Sequence, residues 1–176
     1  MLKLPANSTL SSTAHVLLSK GFNVLLHGRN PSKLESVMSS LQSLHPSRRL
    51  AIVTADFSKP TPEIISAIPN YIRENNLRVT LFFNNVASTD NFFNLFQNLT
   101  PEVIDRIVNV GVVVFTKLYR EMMPLMSEER LGGRAMMVNI GSAAGEISTP
   151  YIAVYSGTKG YMQVGSLFHV PFSWSD

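Results

Sequence analysis

Apolar runs of β type alternate along this chain with segments whose apolar residues recur at three- and four-residue steps, and that alternation constrains the fold more than any other feature. Strand–helix–strand units of this kind build a parallel sheet covered by helices. Asn23 to His27 (NVLLH) is the first strand candidate, entered through Gly21, which suits the C-cap of a helix over Ala14 to Lys20. Pro31 opens the next helix, whose Leu34, Val37, Met38, Leu41 and Leu44 share one face that should lie on the sheet. Leu50 to Ala55 (LAIVTA) reads as a strand ending at Asp56. The helical pattern from Pro62 to Asn75 contains Pro69, which is expected to kink or divide it. Arg78 to Phe83 (RVTLFF) is a further strand, ending at Asn84 and Asn85. Thr100-Pro101-Glu102 supplies an N-cap and a first-turn proline for a long helix running towards Met126. Gly132-Gly133 breaks the chain before the buried strand Ala135 to Ile140 (AMMVNI), which ends in Gly141-Ser142, and a last helix carries Tyr155 to Met162. No repeat or linker divides the sequence, so one domain over 1–176 is expected.

Composition narrows the function classes. With 45% hydrophobic and 15% charged residues the chain can bury a core. It has no cysteine, which excludes disulfides and thiolate metal sites, and its four histidines lack ligand spacing, so metal chemistry is not expected. The net charge of +3 comes from scattered basic residues without a run of like charges, which gives no sign of a nucleic-acid partner or a membrane-surface stripe. No stretch reaches the roughly 18 to 20 apolar residues of a spanning helix, and Met1 to Ser12 lacks the features of a signal peptide. A soluble, cytoplasmic protein is the expectation.

The sharpest motif lies in GSAAGEISTPYIAVYSGTK. Ser142 stands thirteen residues before Tyr155, and Tyr155 four before Lys159. On a helix, Tyr155 and Lys159 share one face about one turn apart, so the ammonium can sit near the phenol and favour its anionic form. Ser142, emerging from the carboxyl end of a strand, can hydrogen-bond a substrate carbonyl oxygen where negative charge develops.

These residues resemble the short-chain dehydrogenase/reductase family, whose pattern is a Ser followed by Tyr-x-x-x-Lys within a Rossmann-type, doubly wound α/β domain. The resemblance implies that Tyr155 gives the proton to a ketone, Lys159 assists it and holds the nicotinamide ribose, and Ser142 polarises the carbonyl. NNVAS at 84–88 is similar to the family's Asn-Asn-Ala-Gly element, with Val86 and Ala87 replacing the last two residues, and makes Asn85 a cofactor contact. An Asn pair in a turn is the alternative. Asp56 matches the family Asp beside the adenine ring, or caps the helix after it. In HGRNPSKL, Arg29 falls where the family separates its two nicotinamide cofactors, and a guanidinium there suits a 2'-phosphate, implying NADP over NAD, with a solvent-facing Arg in a polar turn as the alternative. Arg120 falls where many relatives carry a Lys or Arg near the nicotinamide, although a solvated helix face also explains it. HGRNPSKL and NNV look closest to the eukaryotic 3-oxoacyl-CoA reductase and 17β-hydroxysteroid dehydrogenase branch, which implies a lipid-, steroid- or polyketide-like ketone or alcohol. A homo-oligomer is compatible with the family.

The sequence also departs from the family pattern. The glycines of the phosphate loop should fall at positions 4, 8 and 10, which hold Leu4, Ser8 and Leu10, and side chains there are expected to obstruct the pyrophosphate. The family's first strand would precede Met1, and its absence should split the ladder. The structural Asn of the family's catalytic tetrad falls on Gly111, with Asn109 two residues earlier as a substitute through a shifted register. After Met162 the pattern dissolves into GSLFHVPFSWSD, without the family's later strands and substrate loop. The sequence therefore reads as a truncated, incomplete Rossmann-type domain. The alternative to an NADP-dependent oxidoreductase is a non-catalytic remnant that is poorly folded and binds no cofactor.

Overall fold

The structure, a computed structural model, describes residues 9–89, 94–127, 135–147 and 150–165. It divides into two compact units, Met1–Asp56 and Phe57–Asp176.

The first unit runs α1 (Thr9–Ser19), β1 (Val24–Gly28), α2 (Pro31–Leu44) and β2 (Leu50–Thr54). Helix α1 stops because Gly21 adopts φ +97°, which lets its N–H reach Leu18 O at 3.0 Å while the N–H of Phe22 reaches Leu17 O at 3.1 Å. Both last-turn carbonyls are thereby satisfied, as anticipated for a glycine just past a helix end. Strand β1 pairs in parallel with β2, Val24 opposite Leu50 through Gly28 opposite Thr54. Asn30 caps α2 by accepting from Lys33 N at 2.9 Å, and Pro31 occupies the first turn. The core is aliphatic: Ala14, Leu18, Leu26, Leu34, Val37 and Leu41 are buried, with Val24, Met38, Leu50 and Ile52 packed against them. Each such Leu or Val removed from water contributes about 1.5–3 kcal/mol. Leu44 corrects the predicted apolar face. It sits in the last turn of α2 and stays 37% exposed, beyond the reach of that core.

The second unit contains α3 (Pro62–Glu74), β3 (Leu81–Asn84), α4 (Pro101–Val108), a π-helical segment (Asn109–Val114), α5 (Phe115–Leu125), β4 (Met136–Asn139) and α6 (Ala153–Gly165). Strand β3 is shorter than RVTLFF suggests, Arg78 to Thr80 lying ahead of it, and it pairs in parallel with β4 from Leu81–Met136 to Asn84–Asn139. Pro69 does not divide α3, because it is buried on the same face as Ile65, Ile68 and Ile72. Tertiary burial there outweighs the lost backbone hydrogen bond. Phe115, Tyr119 and Met162 form a buried cluster with Phe82, Met137 and Tyr161 against it, the Phe115 and Tyr119 rings lying 4.4 Å apart. Glu121 on α5 accepts from Ser66 Oγ at 2.7 Å and from Arg73 Nη2 at 3.4 Å, which ties α3 to α5. The predicted Gly132-Gly133 break lies outside the described residues. No helix among the described residues is long and apolar enough to cross a membrane.

Candidate active site

The parallel register of β3 and β4 brings Asn84 and Asn139 side by side at the carboxyl ends of the two strands. Asn84 Nδ2 donates to Asn139 Oδ1 at 3.1 Å, and the Tyr119 hydroxyl, reaching in from α5, donates to the same oxygen. Burial pushes the Tyr119 hydroxyl up to about 12, with the Asn139 hydrogen bond opposing, so it stays a neutral donor. One residue further on, the Ile140 N–H donates to Asn84 O at 2.9 Å. The Ile140 carbonyl in turn receives Lys159 Nζ at 2.8 Å. Lys159 is only 3% exposed, and burial holds its ammonium below the ordinary lysine range.

Tyr155 lies one turn before Lys159 on α6 and is half-buried, its ring centroid 5.9 Å from Lys159 Nζ. That is within the range over which a cation is attracted to an aromatic face. Ser142 opens a 3-10 turn at Ala143–Gly145, its Oγ accepting from Ala144 N at 3.3 Å. The turn is seated on α6 by close backbone approach: a Cβ at Gly145 would lie 2.9 Å from Gly160 N and Lys159 C. Only glycine lets the Ser142 turn come this near to the lysine's own backbone. The structure thus brings the turn that carries Ser142 against the helix that carries Tyr155 and Lys159.

The remaining predicted positions are spread over both units. Asn85 follows β3 directly and is half-buried, while Arg120 is exposed on α5. In the first unit Arg29 is exposed just beyond β1, and Asp56 is half-buried just beyond β2. Both stand at carboxyl ends of parallel strands, the end at which open α/β sheets take their ligands. Leu4 and Ser8 lie outside the described residues, and Leu10 lies in α1. Gly111 and Asn109 both belong to the π-helical segment. A Cβ at Gly111 would lie 2.5 Å from Thr158 Cβ, so an Asn side chain has no room there. Asn109 Nδ2 reaches the Ser58 carbonyl at 3.5 Å.

Sequence reasoning missed Asn139, Tyr119 and the Ile140 carbonyl, which together hold the ends of β3 and β4 and the ammonium of Lys159. The one local signal was an Asn closing an otherwise apolar strand. The π-helical turn was missed as well, although a glycine inside a run of valines (NVGVVV) weakens a regular helix.

A sequence model of the short chain dehydrogenase family matches residues 11–164. The chain belongs to that family of oxidoreductases. The very-long-chain 3-oxoacyl-CoA reductase of Mycosarcoma maydis is 28% identical over 146 residues, covering 83% of this chain and 40% of that protein. The enzyme of the same name from Scheffersomyces stipitis is 29% identical, covering 87% of this chain and 44% of that one. The chain therefore spans less than half the length of these curated relatives. Among solved structures, a short-chain dehydrogenase from Sphingobium yanoikuyae in complex with NADPH superimposes with a TM-score of 0.77 at 22% identity, over 89% of this chain and 58% of that one. A 3-oxoacyl-[acyl-carrier protein] reductase from Brucella melitensis with bound NAD gives 0.70 at 21%, over 85% and 55%. The fold is the Rossmann-type α/β fold of the family.

Proposed function

We propose that this chain carries the reaction centre of an NADP-dependent oxidoreductase that interconverts a ketone and a secondary alcohol on a lipid-like substrate. The observation that carries this reading is the buried Lys159 ammonium, fixed by the Ile140 carbonyl one helical turn from Tyr155. An ammonium has three N–H donors and Ile140 takes one, which suits the lysine to hold a ribose hydroxyl as well. The residues at this end of the site therefore fit a nicotinamide cofactor, which when bound supplies the hydride. The Ser142 hydroxyl hydrogen-bonds the substrate carbonyl oxygen, and the Tyr155 hydroxyl gives that oxygen its proton as the carbonyl carbon is reduced. The positive charge of Lys159 offsets the negative charge left on the Tyr155 oxygen until solvent returns a proton. Arg29 would pair with the 2'-phosphate, Asp56 would lie beside the adenine, and Asn85 and Arg120 would contact the cofactor nearer the nicotinamide. In this reading both units belong to one nucleotide-binding domain. The names of the two reductase relatives support a 3-oxoacyl thioester as the first substrate to try.

A second reading, a non-catalytic family member, is favoured by the packing of Gly111 on Thr158, which leaves no place for the tetrad Asn. One experiment separates the two. NADPH oxidation with a 3-oxoacyl thioester is expected in the purified protein, and Tyr155→Phe is expected to lower kcat/KM by at least about tenfold, some 1.4 kcal/mol of barrier. Retention of more than about a tenth of the wild-type value would overturn the role given to Tyr155. No oxidation by the wild type, together with no upward shift of its melting temperature by NADPH, would establish the second reading.

A further inference from the structure

Positive charge is concentrated in one part of the chain. Residues 1–56 hold six lysines and arginines against two acidic residues, Glu35 and Asp56, whereas 57–176 hold nine against ten. Within the first unit, Arg29 and Asp56 stand at the carboxyl ends of β1 and β2, and Lys33 and Glu35 lie near the start of α2. Lys20, Arg48 and Arg49 lie at the opposite, amino-terminal end of the two strands, and no acidic residue occurs in 9–34 or 36–55.

These bases are far apart in sequence and are gathered by hydrogen bonds. Arg48 Nη1 donates to Gly21 O at 2.9 Å, Arg49 N to Asn23 Oδ1 at 2.9 Å, and Val24 N to Arg49 O at 3.0 Å. His45, which caps α2, meets His15 of α1 through a 3.0 Å Nε2–Nδ1 hydrogen bond, next to Leu44 and Val16. Val16 lies one turn before Lys20, and its carbonyl accepts the Lys20 N–H at 3.1 Å. Among the described residues, the large apolar side chains that the first unit leaves exposed, Val16 at 53%, Phe22 at 38% and Leu44 at 37%, fall on this same rim.

We propose that the rim formed by Val16, Lys20, Phe22, Leu44, Arg48 and Arg49 docks on an anionic phospholipid surface. Uncompensated bases draw the rim to acidic headgroups, and apolar side chains interleaved with them enter the interfacial layer. A nucleic acid would answer the bases but would gain nothing from Val16 or Leu44, which cannot stack on its rings. Because the rim lies at the amino-terminal ends of β1 and β2, docking leaves Arg29 and Asp56 at the other end uncovered. Docking of this kind does not depend on the proposed reaction.

Co-sedimentation of the purified chain with phosphatidylcholine vesicles, with and without phosphatidylserine, tests it. Binding is expected only with phosphatidylserine, and it should weaken as salt is raised. Lys20→Glu with Arg49→Glu is expected to lower the partition coefficient by at least about tenfold, whereas Lys20→Arg with Arg49→Lys should leave it nearly unchanged. Phe22→Ser should lower it severalfold without altering retention on heparin, which offers charge and no apolar layer. Equal binding to both kinds of vesicle, or charge reversal without effect in a variant of unchanged circular dichroism, would overturn the proposal. So would Phe22→Ser leaving vesicle binding unchanged, since the rim would then recognise polyanions in general.

Discussion

The core cluster of the first unit is closed by Ala14, Leu18, Leu26, Leu34, Val37 and Leu41, all aliphatic, whereas the second unit buries Asn84, Thr158 and Lys159 together with its aromatic side chains. The second arrangement is the costlier one, because each buried polar group must recover in the protein the hydrogen bonds it leaves in water. Most of them do: Asn84 bonds Asn139, Thr158 Oγ1 donates to Tyr155 O at 2.8 Å, and Lys159 Nζ finds Ile140. The Ser156 hydroxyl, next to Tyr155, is buried without a hydrogen-bond partner among the described residues. Among the described residues, three of the four buried polar residues thus lie around the carboxyl ends of β3 and β4 and on α6, where the reaction is proposed, and the fourth, Ser11, lies in α1 of the first unit. Departures from an apolar core are expected to gather at functional sites.

The strongest way to break this contrast is to open the aliphatic core. Leu41 is fully buried among Leu18, Leu26 and Leu34. Leu41→Ala is expected to cost about 2–5 kcal/mol of unfolding free energy, from lost transfer and an unfilled cavity. Denaturant titration reads this directly. A loss under about 1 kcal/mol would mean that the first unit is loosely filled and that the contrast with the second is wrong.

In the second unit the corresponding probe is steric. Gly111→Asn introduces the residue that the family pattern places there, yet its Cβ would lie 2.5 Å from Thr158 Cβ. A destabilisation of about 1–3 kcal/mol is expected, with Thr158→Gly in the same chain recovering much of it, a coupling that a double-mutant cycle measures. A neutral Gly111→Asn would show that the π-helical segment re-registers easily and that this wall of the site is soft.

How much of this was legible in the sequence depends on the range of the interactions. The Gly21 stop, the helix start at Pro31, and the Tyr155–Lys159 spacing depend on residues within one or two turns, and the structure keeps all three. Family membership and fold class were legible for the same reason. That Pro69 leaves its helix undivided was not legible, because this is decided by burial beside Ile65 and Ile72 rather than by its own ring. The Ile140 seat of Lys159 joins residues 19 apart, and the Asn84–Asn139 bridge joins residues 55 apart, so neither leaves a periodic trace. The basic rim was invisible for the same reason: Lys20 and Arg48 form no run of charge until the chain folds.

The smallest expected effect lies in the aliphatic unit itself, at the half-buried ring of His27. His27 sits on β1 with Nε2–H donating to Ala55 O at 3.1 Å. Burial lowers its pKa below the ordinary 6.5, and the Ala55 hydrogen bond opposes that shift only in part. The folded state therefore holds a proton on this ring less readily than the unfolded state does. Its contribution to stability is fully present above the unfolded value near 6.5 and is lost as pH falls from there through the depressed folded value. One proton limits the slope to about 1.4 kcal/mol per pH unit. Thermal melts between about pH 7.5 and 5.5 should show the wild type losing stability on acidification, and His27→Gln, which keeps a donor for Ala55, should lose measurably less. Identical acid sensitivity in the two proteins would place the titrating group elsewhere and leave His27 an ordinary, readily protonated ring.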